Sequence, residues 1–181
     1  MNKLFVALAV VLMVQIANAE EQVIRVPGEG WRIRFDAPKL TPQPANPRSV
    51  PPIFFGRADR FQLSFFVEAP RCGGPETDEN IYNCRLKTLL NSPYVTRNTV
   101  RGNTVPNGVL VTYLTQVERD GLKGTAFNAN LLFARKGKWA DVHTSFASPI
   151  PEDVKALYAI MDSIKVENDP AKNSSEQPRT R

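Results

Sequence analysis

Apolar and polar residues alternate most clearly over Val109 to Glu118, Gly124 to Arg135 and Lys138 to Phe146, with the period of two expected of half-buried strands. Turn signals separate them: Asn107-Gly108 before the first, Asp120-Gly121 between the first two, Lys136-Gly137 before the third. If Asp120-Gly121 and Lys136-Gly137 are two-residue loops, the register follows, because loop length decides which residues lie opposite. Leu114, Phe127 and Phe146 then form one cross-strand row, and Leu110, Leu131 and Val142 another. The opposite face carries a row of Tyr113, Asn128 and Ser145, a row of Val111, Asn130 and His143, and beside them Leu132 and Asp141. One face is apolar throughout, and a shift of one residue in either hairpin would spoil it. The third strand reads as the centre of a sheet towards which the upstream strands pair.

Weaker patterns fill in the rest. Gln22–Val26 and Trp31–Phe35 read as strands around a Pro27-Gly28-Glu29-Gly30 turn. Asp36 to Pro52 carries prolines at 38, 42, 44, 47, 51 and 52, which remove backbone donors, so a long surface loop without a regular ladder is expected. Ile53–Phe55 and Phe61–Val67 read as a hairpin with 56–60 as its connection, and Thr96 to Val105 as a polar outer strand. Two helices are predicted. Tyr82, Leu86, Leu89 and Leu90 fall at helical spacing behind acidic Asp78 and Glu79, giving a helix over 78–90 that Pro93 stops. Pro151 suits a first helical position, and Val154, Leu157, Tyr158, Met161 and Ile164 form the stripe that packs on the sheet. The expected fold is α+β: an antiparallel sheet of about six or seven strands flanked by two helices.

The two ends of the chain change the picture. Lys3, the apolar run Leu4 to Ile16 and Ala17-Asn18-Ala19 have the layout of a secretory signal, giving a mature chain from about Glu20. The run contains Gln15 and falls short of the roughly 20 residues that span a bilayer. No cysteine follows the small-residue site for lipid attachment, and no membrane span is expected in the mature chain. A single domain over 20–167 and a disordered tail over 168–181 complete the organisation, the tail having no apolar anchors. An exported protein of this kind is expected to be periplasmic or secreted. There the only two cysteines, Cys72 and Cys84, are expected to form a disulfide, since oxidising compartments preserve them. Their spacing is not that of a C-x-x-C redox pair.

An early Gly-Trp-x-x-x-Phe strand (Gly30, Trp31, Phe35) and a last helix running into Ser-x-Lys-Val (Ser163, Lys165, Val166) resemble the PsbP/Mog1-like group. The similarity spans most of residues 22–167. It implies an antiparallel sheet flanked by helices, in a group whose members include photosystem accessory proteins, a binder of a small GTPase and bacterial envelope proteins. The segment from Cys72 to Cys84 is an addition to that pattern.

Candidate chemistry centres on the polar face. The formal charge of +5 becomes +4 without Lys3, and the basic residues are scattered, with Arg135, Lys136 and Lys138 the densest group, so no stripe tracks a nucleic acid. Asp141, His143 and Ser145 alternate on one face and invite a catalytic triad. Neighbours on a strand face, however, lie about 6.6 Å apart at roughly 3.3 Å per residue, beyond the hydrogen-bond reach of a relay. One histidine does not make a catalytic zinc site, and no metal or cofactor is implied. Tyr113, Asn128, Asn130, Asp141, His143 and Ser145 instead suit the polar floor of a ligand site walled by Trp139 and Leu132. A bonded His143, held by Asn130 or Asp141, is the plainer reading. Arg32 and Arg34 share a face that could receive a carboxylate. The expected function is an exported envelope accessory or binding protein without catalytic activity, with a protein or small ligand as partner. The alternatives are a hydrolase centred on His143, and an inhibitor or immunity protein acting through the proline-rich or cysteine-stapled loop.

Overall fold

A computed structural model describes residues 19–44, 52–119 and 121–170. Residues 1–18 of the proposed signal over 1–19 and most of the tail, 171–181, lie outside the described residues, as does 45–51 of the proline-rich loop.

The two strongest hairpins set the frame. Strands β7 (Gly108–Arg119), β8 (Leu122–Arg135) and β9 (Lys138–Ala147) pair antiparallel with Leu114 opposite Phe127, Phe127 opposite Phe146, Asn130 opposite His143 and Leu132 opposite Asp141. Every row expected from the two turns is present. Lys136 and Gly137 both adopt positive φ at the second turn, as a two-residue primed turn requires. With β3 (Thr41–Pro42), β4 (Phe54–Ala58), β5 (Phe61–Glu68) and β6 (Arg101–Val105), the seven-stranded order is β3-β4-β5-β9-β8-β7-β6. β9 is the central strand.

Four local expectations are corrected. The strand β4 continues to Ala58, because a two-residue turn with Asp59 at φ 48° connects it to β5 in place of the longer 56–60 connection. The proline-rich stretch contributes a two-residue strand, β3, at the sheet edge, where a missing donor costs least. Of 96–105, residues Arg97–Thr99 form a 3₁₀ turn and only Arg101–Val105 is strand. Asn168 and Asp169, assigned above to a disordered tail, are held, as the small sheet shows.

The largest departure concerns the first strands, which do not pair towards β9. β1 (Ala19–Val26) and β2 (Trp31–Pro38) form their own three-stranded sheet with β10 (Lys165–Asn168), in the order β1-β2-β10. The residues behind the family resemblance build this sheet. Gly30 O accepts a hydrogen bond from Asp169 N, Val166 lies opposite Ile33, and Ser163 Oγ accepts from Asp36 N.

Helix α2 (Pro151–Ser163) begins with Pro151 at its first position, and Asp153 accepts from Ile150 N at 2.9 Å and pairs with Arg60. Its Leu157, Ile160 and Met161 join Trp31, Ile33 and Phe35 of the small sheet and Leu63, Phe65, Leu131 and Val142 of the large one in the main core. Tyr158, placed above in that stripe, is exposed, with its ring 6.1 Å from that of Phe127. Trp31 is fully buried with its ring edge-on to Phe65 and Phe133, the arrangement aromatic pairs favour. Helix α1 (Asp78–Asn91) covers part of the other face of the large sheet. There Ile81 and Leu89 meet Val109, Val111, Tyr113, Leu132 and Trp139 in a second cluster. Leu90, placed on its apolar stripe by spacing, is exposed. No helix among the described residues is long and apolar enough to cross a membrane.

Candidate functional site

The outer face of the large sheet is built by the side-chain alternation of four strands. From β5 come Gln62, Ser64, Phe66 and Glu68, which lie opposite Ser145, His143, Asp141 and Trp139 of β9. These in turn face Asn128, Asn130, Leu132 and Ala134 of β8. Helix α1 sits over the β7 and β8 side of this face, and three local devices hold it there. Thr77 caps it through Asn80 N, Asp78 Oδ1 accepts from Ala134 N of β8 at 2.7 Å, and the disulfide Cys72–Cys84 closes the preceding loop with Cα atoms 6.0 Å apart. Asn80 Nδ2 donates to the carbonyls of Gly73 and Pro75, so the loop is tied to the helix as well. At the sheet edge, Gly102 lets β6 pass under Tyr82, whose ring would lie within 2.8 Å of any Cβ there.

The six residues expected to form one polar floor, and the walls Trp139 and Leu132, divide into two groups. Tyr113 and Trp139, with the wall residue Leu132, belong to the cluster beneath α1 and are buried. Asn128, Asn130, Asp141, His143 and Ser145 lie along β8 and β9, with only Asp141 and His143 part-exposed. Burial drives the Tyr113 phenol up to about 12, so it is a neutral group at any ordinary pH, with Arg85 opposing the shift.

His143 is bonded, but not to the partners expected. Its Nε2 lies 3.1 Å from Asn128 Oδ1, while Asn130 Nδ2 donates to Asp141 Oδ1 at 2.6 Å. The reason is that Asp141 is engaged twice, by Asn130 and by Arg85 Nη2 at 3.4 Å. Asn128 spends both amide protons on Thr115 Oγ1 and Ala126 O, each at 3.0 Å, so only its oxygen is left for the ring. Nε2 of His143 therefore carries the proton and donates, leaving the lone pair on Nδ1. Desolvation lowers the His143 pKa, opposed by Asp141 and aided by Arg85, which keeps the ring neutral. Asp141, His143 and Ser145 share no hydrogen bond, so the relay a hydrolase needs is not assembled.

Arg85 was not legible as a site residue, because on spacing alone it is one solvated position of a helix. The only signal was its adjacency to Cys84. It reaches over the sheet to Asp141, yet its Nε is buried without a partner; so are Asn130 Oδ1 and Trp139 Nε1 in the same region. Buried polar atoms left unpaired are uncommon and call for an explanation. Arg32 and Arg34, read as possible receivers of an external carboxylate, already have internal ones: Glu167 for Arg32 at 2.7 Å and Glu21 for Arg34 at 2.7 Å. Among the described residues, no cluster of three or more His, Cys, Asp or Glu could hold a metal ion.

No protein-family model matches the sequence, and no curated protein is detectably similar to it. The solved structures to which the chain shows a distant similarity include these two. LpqN of Mycobacterium tuberculosis, described as involved in cell envelope biogenesis, is 10% identical at a TM-score of 0.42, over 84% of this chain and 87% of its own. A protein of Bacteroides thetaiotaomicron VPI-5482 is 11% identical at a TM-score of 0.38, over 82% of this chain. This chain spans 42% of the length of that protein.

Proposed function

We propose that the protein is an exported envelope accessory protein that acts by binding, without chemistry of its own, through the outer face of its large sheet. Tyr113, Asn128, Asn130, Trp139, Asp141, His143 and Ser145 support the site, and Arg85 completes it. On this reading a signal is cleaved near Ala19, one domain runs from residue 20 through Asp169, and the chain is a divergent relative of the PsbP/Mog1-like group. A disulfide in the described residues accords with an oxidising compartment. The observation that carries the reading is the state of the polar face. Its short side chains are locked to one another, His143 to Asn128 and Asn130 to Asp141, in the manner of a preformed surface.

The test is retention of envelope components on the immobilised mature protein. A component held by the native protein and released by Arg85→Glu is the expected result. Retention of nothing, or retention indifferent to Arg85→Glu, would overturn the reading. So would turnover of an envelope substrate that His143→Ala abolishes.

A further inference from the structure

A cleft of about 240 Å³ opens where the start of α1 meets the ends of β5 and β9. Its two cations come from separate segments that the disulfide joins. Arg71 precedes Cys72 and Arg85 follows Cys84, so one covalent bond brings both guanidinium groups to the same cleft. Its two carboxylates come from adjacent strands. Glu68 lies opposite Trp139 and Asp141 opposite Phe66, which places them on one face as diagonal neighbours, about 7–8 Å apart. Within the cleft the charges satisfy one another: Arg71 pairs with Glu68, and Arg85 with Asp141 at 3.4 Å. The satisfaction is incomplete. Arg85 keeps a buried Nε with no acceptor, although a guanidinium presents a fork of donors matched to a carboxylate. Between the charges the lining is apolar, formed by Phe66, Ile81 and Trp139.

Two positive and two negative groups around an apolar wall select against a simple anion, which would meet Glu68 and Asp141, and against a simple cation, which would meet the arginines. They suit a molecule that carries both charges. Resting on the binding role given above, we propose that this cleft recognises a small zwitterion, a free amino acid or short peptide with an apolar side chain. Its carboxylate lies on Arg85 and Arg71, its ammonium group on Glu68 and Asp141, and its side chain against Phe66, Ile81 and Trp139. The disulfide holds the two arginines in place before the ligand arrives, which lowers the ordering cost of binding.

The experiment is titration calorimetry of the oxidised, mature protein with three probes: leucyl-leucine, its N-acetyl derivative and its C-terminal amide. Saturable binding of the free dipeptide is expected, weakened roughly tenfold or more when either end is blocked, since each charge-assisted contact is lost separately. Arg85→Gln should remove the preference for the acid over the amide. Glu68→Gln should weaken the preference for the free amine over the acetylated form, with circular dichroism confirming that both variants are folded. Equal binding of all three probes overturns the proposal, as does binding of none. If none binds while an envelope component is still retained in an Arg85-dependent way, the ligand class is wrong and the binding role stands. If neither is seen, both fall.

Discussion

The molecule has two sheets with two outer faces, and they handle polar groups in opposite ways. On the small sheet, Arg32, Arg34 and Arg25 pair with Glu167, Glu21 and Asp169, and all but the buried Asp169 are long side chains that reach the surface. On the large sheet the polar groups are mostly short: Asn128, Asn130 and Ser145 are buried, with Asp141 and His143 beside them, and a helix supplies one arginine. Both faces use an arginine–carboxylate pair, so residue type does not distinguish them. Solvent does. Where water can replace either partner, a pair contributes little; where it cannot, the partner left behind keeps an uncompensated charge or donor. The small-sheet pairs stand part-exposed on their own, whereas on the large-sheet face a buried amide depends on the pair.

The largest effect should come from Asp141, which holds Arg85 and Asn130 together. Asp141→Ala leaves the Asn130 amide without its acceptor in a fully buried position and Arg85 without its carboxylate. A loss of about 2–3 kcal/mol is expected, read as a lower urea midpoint at unchanged slope. Glu167→Ala is the matching change on the other face, where it removes the partner of Arg32 and the second partner of Arg34. It should cost about 0–1 kcal/mol, and less in high salt, because exposed charges are screened. Equal costs for the two substitutions would erase the distinction between the faces.

The same distinction explains what could be read from the chain itself. The rows across β7, β8 and β9 were legible because two turns fix them and because one face, Thr112 and Thr144 apart, is apolar from Leu110 to Phe146. Cys72 and Cys84 were legible as a pair because the chain has only two cysteines, so each has one possible partner within it. The small sheet was not legible as a separate sheet: Trp31, Ile33 and Phe35 alternate as any half-buried strand does, and the pattern does not say which strand lies alongside. β10 was hidden for a related reason, since Lys165–Asn168 is too short and polar to show a period and is held by pairing with β2. At the candidate site the floor was legible and its cover was not. His143 and Asn130 share a row by register, but the choice of Asn128 over Asn130 as partner depends on Thr115 and Ala126 occupying the Asn128 amide. The arrival of Arg85 depends on how α1 docks, which no spacing encodes.

The smallest expected effect is also the most selective for the large-sheet face. His143 is the only histidine, so the difference between the native protein and His143→Gln isolates one titration. Its pKa is lowered from 6.5 by burial, with Arg85 adding to the shift and Asp141 opposing it. In the window between that lowered value and 6.5 the unfolded chain binds more protons than the folded one, so stability rises with pH. The native protein should therefore lose stability as the pH falls from 6.5 through the folded value, and no further on this account below it. Protonation adds its charge at Nδ1, leaving the Nε2 bond to Asn128 in place, so the cost is that of a cation partly buried beside Arg85. The variant should show a flatter profile over the same window, measured as urea midpoints at a series of pH values. Parallel profiles would mean that the ring titrates as freely as in water, and that this face is as solvated as the one across the molecule.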